Sequence, residues 1–122
     1  MGTVDDYLAT LEPRVGALFG RIRDRVYVLV PEVVQGTSYA MPAYLYHGKG
    51  LLATMQAAKH LALYPYSGQV LTALGPDLDE FSHTQGTLRF SLEHPPSDAL
   101  VDRIIQLRRA EIDEKLAAAE RP

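Results

Sequence analysis

Apolar residues recur at intervals of three and four along one stretch of the chain: Val15, Leu18, Phe19, Ile22, Val26, Leu29 and Val30. That spacing lays a single stripe along a helix, opened by Pro13 and broken at Pro31. The "VYVLV" end has strand propensity, but the continued stripe predicts helix through it. Ahead of it, Thr3 followed by Asp6 reads as a capping box and predicts a short helix over Val4 to Leu11, with Tyr7, Leu8 and Leu11 inward. From Val34 the period changes to two. Strands are predicted at Gln35–Ala40, Ala43–Tyr46, Leu51–Gln56 and His60–Tyr64, an antiparallel meander with His47-Gly48-Lys49-Gly50 as a hairpin turn. A helix over Gly68–Leu74 follows Ser67 and is stopped by Gly75-Pro76, a shorter one runs from near Asp77 to Phe81, and after a polar loop "GTLRFSL" makes a fifth strand. Ser97 is the expected N-cap of the last helix, Asp98 to about Ala119. It buries Leu100, Val101, Ile104, Ile105, Leu107, Ile112 and Leu116 and exposes Arg103, Arg108, Arg109, Glu111, Asp113 and Lys115.

The order of elements predicts an α+β fold: an antiparallel sheet of about five strands, with N-terminal and C-terminal helices packed on one face. The other face should then collect what the core does not use. In the last strand Leu88, Phe90 and Leu92 point one way, and Thr87, Arg89 and Ser91 the other. In "KHLALYP" Leu61 and Leu63 form the buried set opposite His60, Ala62 and Tyr64, and in "LLATMQA" Leu51, Ala53 and Met55 alternate with Leu52, Thr54 and Gln56. The open face is expected to gather His60, Tyr64, Arg89, Thr54 and Gln56 into a concave, polar-aromatic surface. Tyr39, Met41, Tyr44 and Tyr46 are amphipathic and suit either side. The candidate ligand-binding residues are therefore Tyr39, Met41, Tyr44, His60, Tyr64 and Arg89. Arg89 suits a carboxylate or phosphate. His60 is a general acid–base candidate only if it finds an acidic or hydroxyl partner.

Composition narrows the chemistry. At 122 residues the whole chain, 1–122, is expected to be one domain with its own core. Without cysteine there is no thiol catalysis, disulfide framework or thiolate metal site, which leans towards a reducing cytoplasm. The first residues, "MGTVDDYLAT", lack the pattern of a signal peptide, and no apolar run has spanning length. A formal charge of −3 without a basic block argues against nucleic-acid binding. "HGKG" lacks the spacing of a phosphate-binding loop, and there is no GxSxG elbow around Ser38. The four histidines form no metal-ligand motif. Asp5 and Asp6, with Glu12, and the group Asp77, Asp79 and Glu80 are the candidate ligands for a hard cation. Both clusters also sit at predicted helix starts, where acids are favoured anyway. Gly16 and Gly20, one turn apart, and the sheet edges are candidate homodimer contacts.

The ordered segments "SYAMPAYLYHGKGLL", "KHLALYP", "GTLRF" and a closing helix with "RRAEI" resemble the bacterial YdhG-like domain family, over about Val4 to Ile112. His60, Tyr64, Pro65, Gly86, Thr87, Arg89 and Phe90 match the family pattern. Ala40 stands where the family usually has glycine, and Gln85 where it has lysine. The resemblance implies a compact α+β domain in the cytoplasm, without assigned function in most members. Some relatives are described as frataxin-like iron chaperones supplying iron–sulfur or haem assembly. Here Asp5, Asp6 and Glu12 are followed by Arg14, Arg21, Arg23 and Arg25, a mixed helix rather than an acidic ridge. The leading expectation is a non-enzymatic binding protein without a cofactor, whose open sheet face recognises a small anionic ligand or a protein segment. Iron donation is the alternative.

Overall fold

The computed structural model describes residues 2–120; the end of the "AAAERP" tail, expected to fray, lies outside the described residues. Helix α1 spans Thr3–Leu8, shorter than its pattern implied, and no capping box forms. Thr3 Oγ1 instead donates to the Gly36 carbonyl at 2.7 Å. A side chain from elsewhere in the chain serves the helix start: the Asp5 N–H donates to Gln35 Oε1 at 2.9 Å. Helix α2, Pro13–Leu29, follows the stripe as expected and buries Val15, Phe19, Ile22 and Val26. Glu12 caps it, accepting from the Arg14 N–H at 3.2 Å. Gly16 has an intramolecular explanation, since a Cβ there would stand 3.2 Å from the Leu8 carbonyl of α1.

Strands β1 (Val34–Ser38), β2 (Met41–Tyr46), β3 (Lys49–Gln56) and β4 (Leu61–Tyr64) form the antiparallel meander. Met41-Pro42, expected as a break, opens β2 instead. The β1–β2 turn is Tyr39-Ala40, at φ 51° and 63°. Two-residue hairpins need this left-handed backbone to match strand twist, which explains why a glycine suits the position of Ala40. After α3 (Gly68–Leu74), the expected second helix is only a 3-10 turn, Gly75–Leu78. The polar loop then contains a strand that the pattern did not announce. β5, Ser82–Thr84, is fully exposed and pairs with β6, Thr87–Phe90, so the sheet has six strands in the order β1-β2-β3-β4-β6-β5. Helix α4 covers Asp98–Glu120.

All helices lie on one face of the sheet, where Leu52, Leu61, Leu63, Leu88 and Phe90 join Phe19, Val26, Ile104 and Ile112 in one core cluster. Helices α2 and α4 are tied across their exposed edges by Arg21–Asp98 at 3.0 Å and Arg25–Asp102 at 2.7 Å. Arg108, expected at the surface, is only 7% exposed. Its Nε donates to the Gly50 carbonyl at 2.9 Å and its guanidinium pairs with Glu111, which in turn accepts from the Ser67 hydroxyl at 2.9 Å. Ser67 caps α3. One buried charge thus joins α4 to β3 and to the start of α3. Among the described residues no helix is long and apolar enough to cross a membrane.

Candidate functional site

Which side chains share the open face is set by the strand register. In an antiparallel pair, residues directly opposite project to the same side. Ala62 faces both Met55 and Arg89, Tyr64 faces Ala53, and Arg89 also faces Ser82. These residues lie opposite Leu61 and Leu63, hence on the side away from the helices. At its centre the face is built from small residues: Ala43, Ala53 and Ala62 are fully covered. Met41, Met55, Tyr64, Tyr66 and Arg89 surround them, each half-buried.

Thr54 and Gln56 do not belong here. They pair with Leu63 and Leu61, which places them on the helix side. Thr54 is 2% exposed with no partner for its hydroxyl. The cause is a β-bulge: Tyr44 faces Leu52 and Leu45 faces Gly50, so Leu51 is the extra residue and joins Leu52 in the core. A bulge breaks strict alternation along a strand. Tyr44 is likewise a core residue rather than a ligand contact, fully buried, with its ring edge-on to Tyr27 at 6.3 Å. Its hydroxyl has no partner, and burial pushes its pKa far up.

Of the expected binding residues, Met41, Tyr64 and Arg89 share the open face, and Tyr39 stands 87% exposed at the β1–β2 hairpin tip. His60 precedes β4, about 13 Å of strand from Tyr64. It lines a cleft of about 290 Å3 at the end of the sheet, together with Glu12, Gln56 and Glu93. Its imidazole has no hydrogen-bond or ion-pair partner among the described residues, so a general-base role finds no geometry here. Arg89 faces Ala62, so Tyr64, two residues further along β4, stands at about the 7–8 Å diagonal spacing of neighbouring strands from it.

Arg89 also differs from its fellow arginines. Arg14, Arg21, Arg23, Arg25, Arg103, Arg108 and Arg109 each have a carboxylate within 4.0 Å. Among the described residues Arg89 alone has none. Tyr66 is the residue that pattern-reading missed as part of this face. Pro65 delivers it at φ 59°, and its ring stacks on Tyr39 with centroids 6.0 Å apart. Gly50 makes room for it, since a Cβ there would come within 2.8 Å of the ring. The Tyr66 hydroxyl donates to the Ser38 carbonyl at 3.4 Å, and burial outweighs that bond in raising its pKa. The two tyrosines flanking Pro65 were a visible signal, but the backwards turn of the second was not.

The acidic candidates are largely engaged. Burial raises the Asp5 carboxyl, but hydrogen bonds from Gln35 and Arg23 and the Arg23 charge outweigh it and hold the pKa below the usual range. Glu12 is held low by the Arg14 backbone N–H and side chain. Asp77 is 2.6 Å from Arg103, Glu80 is 4.0 Å from His94, and Asp6 and Asp79 are exposed. Among the described residues no three His, Asp or Glu side chains gather into a group able to hold a metal ion.

No family model and no curated protein matches the chain. Among solved structures it is similar to a Bacillus subtilis protein of the DUF1801 family, YdhG. The TM-score is 0.76 at 17% sequence identity, over 87% of this chain and 87% of that one. The likeness is one of fold: an α+β, YdhG-like domain of unknown function, as the ordered motifs of the sequence implied.

Proposed function

We propose that this domain is a non-enzymatic binding module whose open sheet face takes up an anionic group through Arg89, with Tyr64 beside it, on a small ligand or a protein segment. The observation that carries the reading is the unpaired guanidinium. In a chain whose other described arginines are all matched to carboxylates, a cation left open on the face free of helices is a ready acceptor for a carboxylate or phosphate. The surrounding tyrosines and methionines supply apolar contact area with polar tips.

A panel of anions, including phosphate, citrate, benzoate and a nucleotide, screened by thermal shift against wild type, Arg89→Ala and Tyr64→Ala tests it. At least one anion should raise Tm for wild type and not for Arg89→Ala; equal responses throughout would sink the reading. The rival proposal, iron delivery, would draw on Asp5, Asp6 and Glu12 or on the group Asp77, Asp79 and Glu80, of which Asp5, Glu12 and Asp77 are engaged by Arg23, Arg14 and Arg103. Anaerobic titration with ferrous iron separates the two, because binding tighter than to an acidic control protein favours the rival.

A further inference from the structure

A cleft of about 470 Å3 lies on the helix side of the molecule, away from Arg89. Asp77 of the 3-10 turn, Glu80 and Phe81 before β5, His94 of the β6–α4 connection, and Leu100 and Arg103 of the first turns of α4 line it. The volume lies within the range of small-molecule sites. Its aromatic wall is held in place: the Phe81 and His94 rings stack at 5.1 Å and 22°. The His94 N–H donates to the Ser91 carbonyl at 3.2 Å and to its hydroxyl at 3.1 Å, which pins the loop. Phe81 packs against the main core.

The charges in this cleft are unequal. Two carboxylates, Asp77 and Glu80, face one guanidinium, Arg103, and that guanidinium is committed to Asp77 at 2.6 Å. Glu80 has only the distant His94 Nε2 at 4.0 Å. An anion entering here meets Glu80, and the one guanidinium of the lining is already spent on Asp77. A bare metal ion finds no third ligand, since no such group exists among the described residues. A neutral apolar molecule leaves the exposed Glu80 carboxylate without a matching charge. A single positive charge on an apolar body matches this lining, with the cation beside Glu80 and the body against Phe81 and Leu100.

We propose that this cleft is a binding site for an amphipathic monocation, an ammonium group carried on an aryl or short alkyl body. It is independent of the Arg89 face and of any anion bound there. The test is titration of the 15N-labelled full chain with 2-phenylethylammonium, followed by backbone amide shifts. Two probes of the same shape serve as controls: neutral 2-phenylethanol and anionic 3-phenylpropionate. The ammonium probe should give saturable shifts confined to residues 77–81 and 94–103, and the anionic probe none. Glu80→Gln, at an exposed position that leaves the core untouched, should weaken the ammonium probe about fivefold. Phe81→Leu, which keeps an apolar side chain but removes the aromatic wall stacked on His94, should weaken it by a similar factor. Equal binding of all three probes, shifts centred elsewhere, or an unchanged affinity in Glu80→Gln would each overturn the proposal.

Discussion

On the helix side of β4, Leu61 and Leu63 are buried among large side chains from α2, α4 and β6; on the other side of the same four-residue strand lie Ala62, fully covered yet only a methyl group, and half-exposed Tyr64. The helix side excludes water with bulk. The open side does so at its centre with alanines beneath a surround of tyrosine and methionine. Charge divides in the same way. Arginines on the helices and their connections are matched to acids, down to the buried Arg108–Glu111 pair, whereas Arg89 on the open side has no acid. A face of small residues buries less apolar area than the leucine side and is expected to contribute less to stability.

Substitution can break that comparison. The largest effect is expected from Leu63→Ala, which should lower the unfolding free energy by about 2–5 kcal/mol in urea denaturation. Tyr64→Ala, one residue on and facing the other way, should cost about 1 kcal/mol or less. Similar losses at the two positions would erase the division between faces. Arg108→Ala comes next: it leaves Glu111 buried without its partner and should cost about 3 kcal/mol. The paired change Arg108→Met with Glu111→Leu should recover much of this, since it is the unmatched charge that is expensive.

Ala40→Gly should act in the opposite direction. It relieves a left-handed alanine, and the gain, after the extra freedom of the unfolded glycine, should be about 0.5–1 kcal/mol. An unchanged denaturation midpoint would mean that the stacked Tyr39 and Tyr66 rings hold this turn regardless. The commitment of charges on the helix side predicts a pH signature as well. The folded-state pKa of Asp5 lies below 3.8, so its contribution is complete at neutral pH and is lost as pH falls below that value and through the lowered folded pKa. The stability difference between wild type and Asp5→Asn should therefore close in acid, and a gap that persists at the lowest pH would contradict the assigned pairing. Arg89→Ala should have the smallest effect on stability, within about 0.5 kcal/mol, while abolishing any anion-induced rise in Tm. A large loss of stability there would mean that Arg89 is a structural group after all.

The fold was largely legible from local pattern, and the exceptions have physical reasons. The stripe from Val15 to Val30 overrode the strand propensity of "VYVLV", because a helix held by one buried face tolerates β-branched residues. β5 was silent because Ser82, His83 and Thr84 are all exposed and offer no alternation to read. Thr3 looked like a helix cap and bonds Gly36 instead, a choice that depends on where β1 lies. Arg108 read as a surface residue because its partner carbonyl, at Gly50, is 58 positions away.

By itself the sequence determined the α+β order, the meander, the helical stripes and the projection of Tyr64 and Arg89 away from the buried leucines. Period and the positions of proline and glycine are local properties, and a local pattern suffices to express them. Only the tertiary structure decided that Leu51 turns inward, that Thr54, Gln56 and Tyr44 belong to the helix side, that Tyr66 folds back over Gly50, and that Arg89 is left without an acid. Each depends on register across strands or on which distant group arrives first. A single bulge, by adding one residue to one strand, reassigns every side chain beyond it in a way that no alternation along that strand alone can announce.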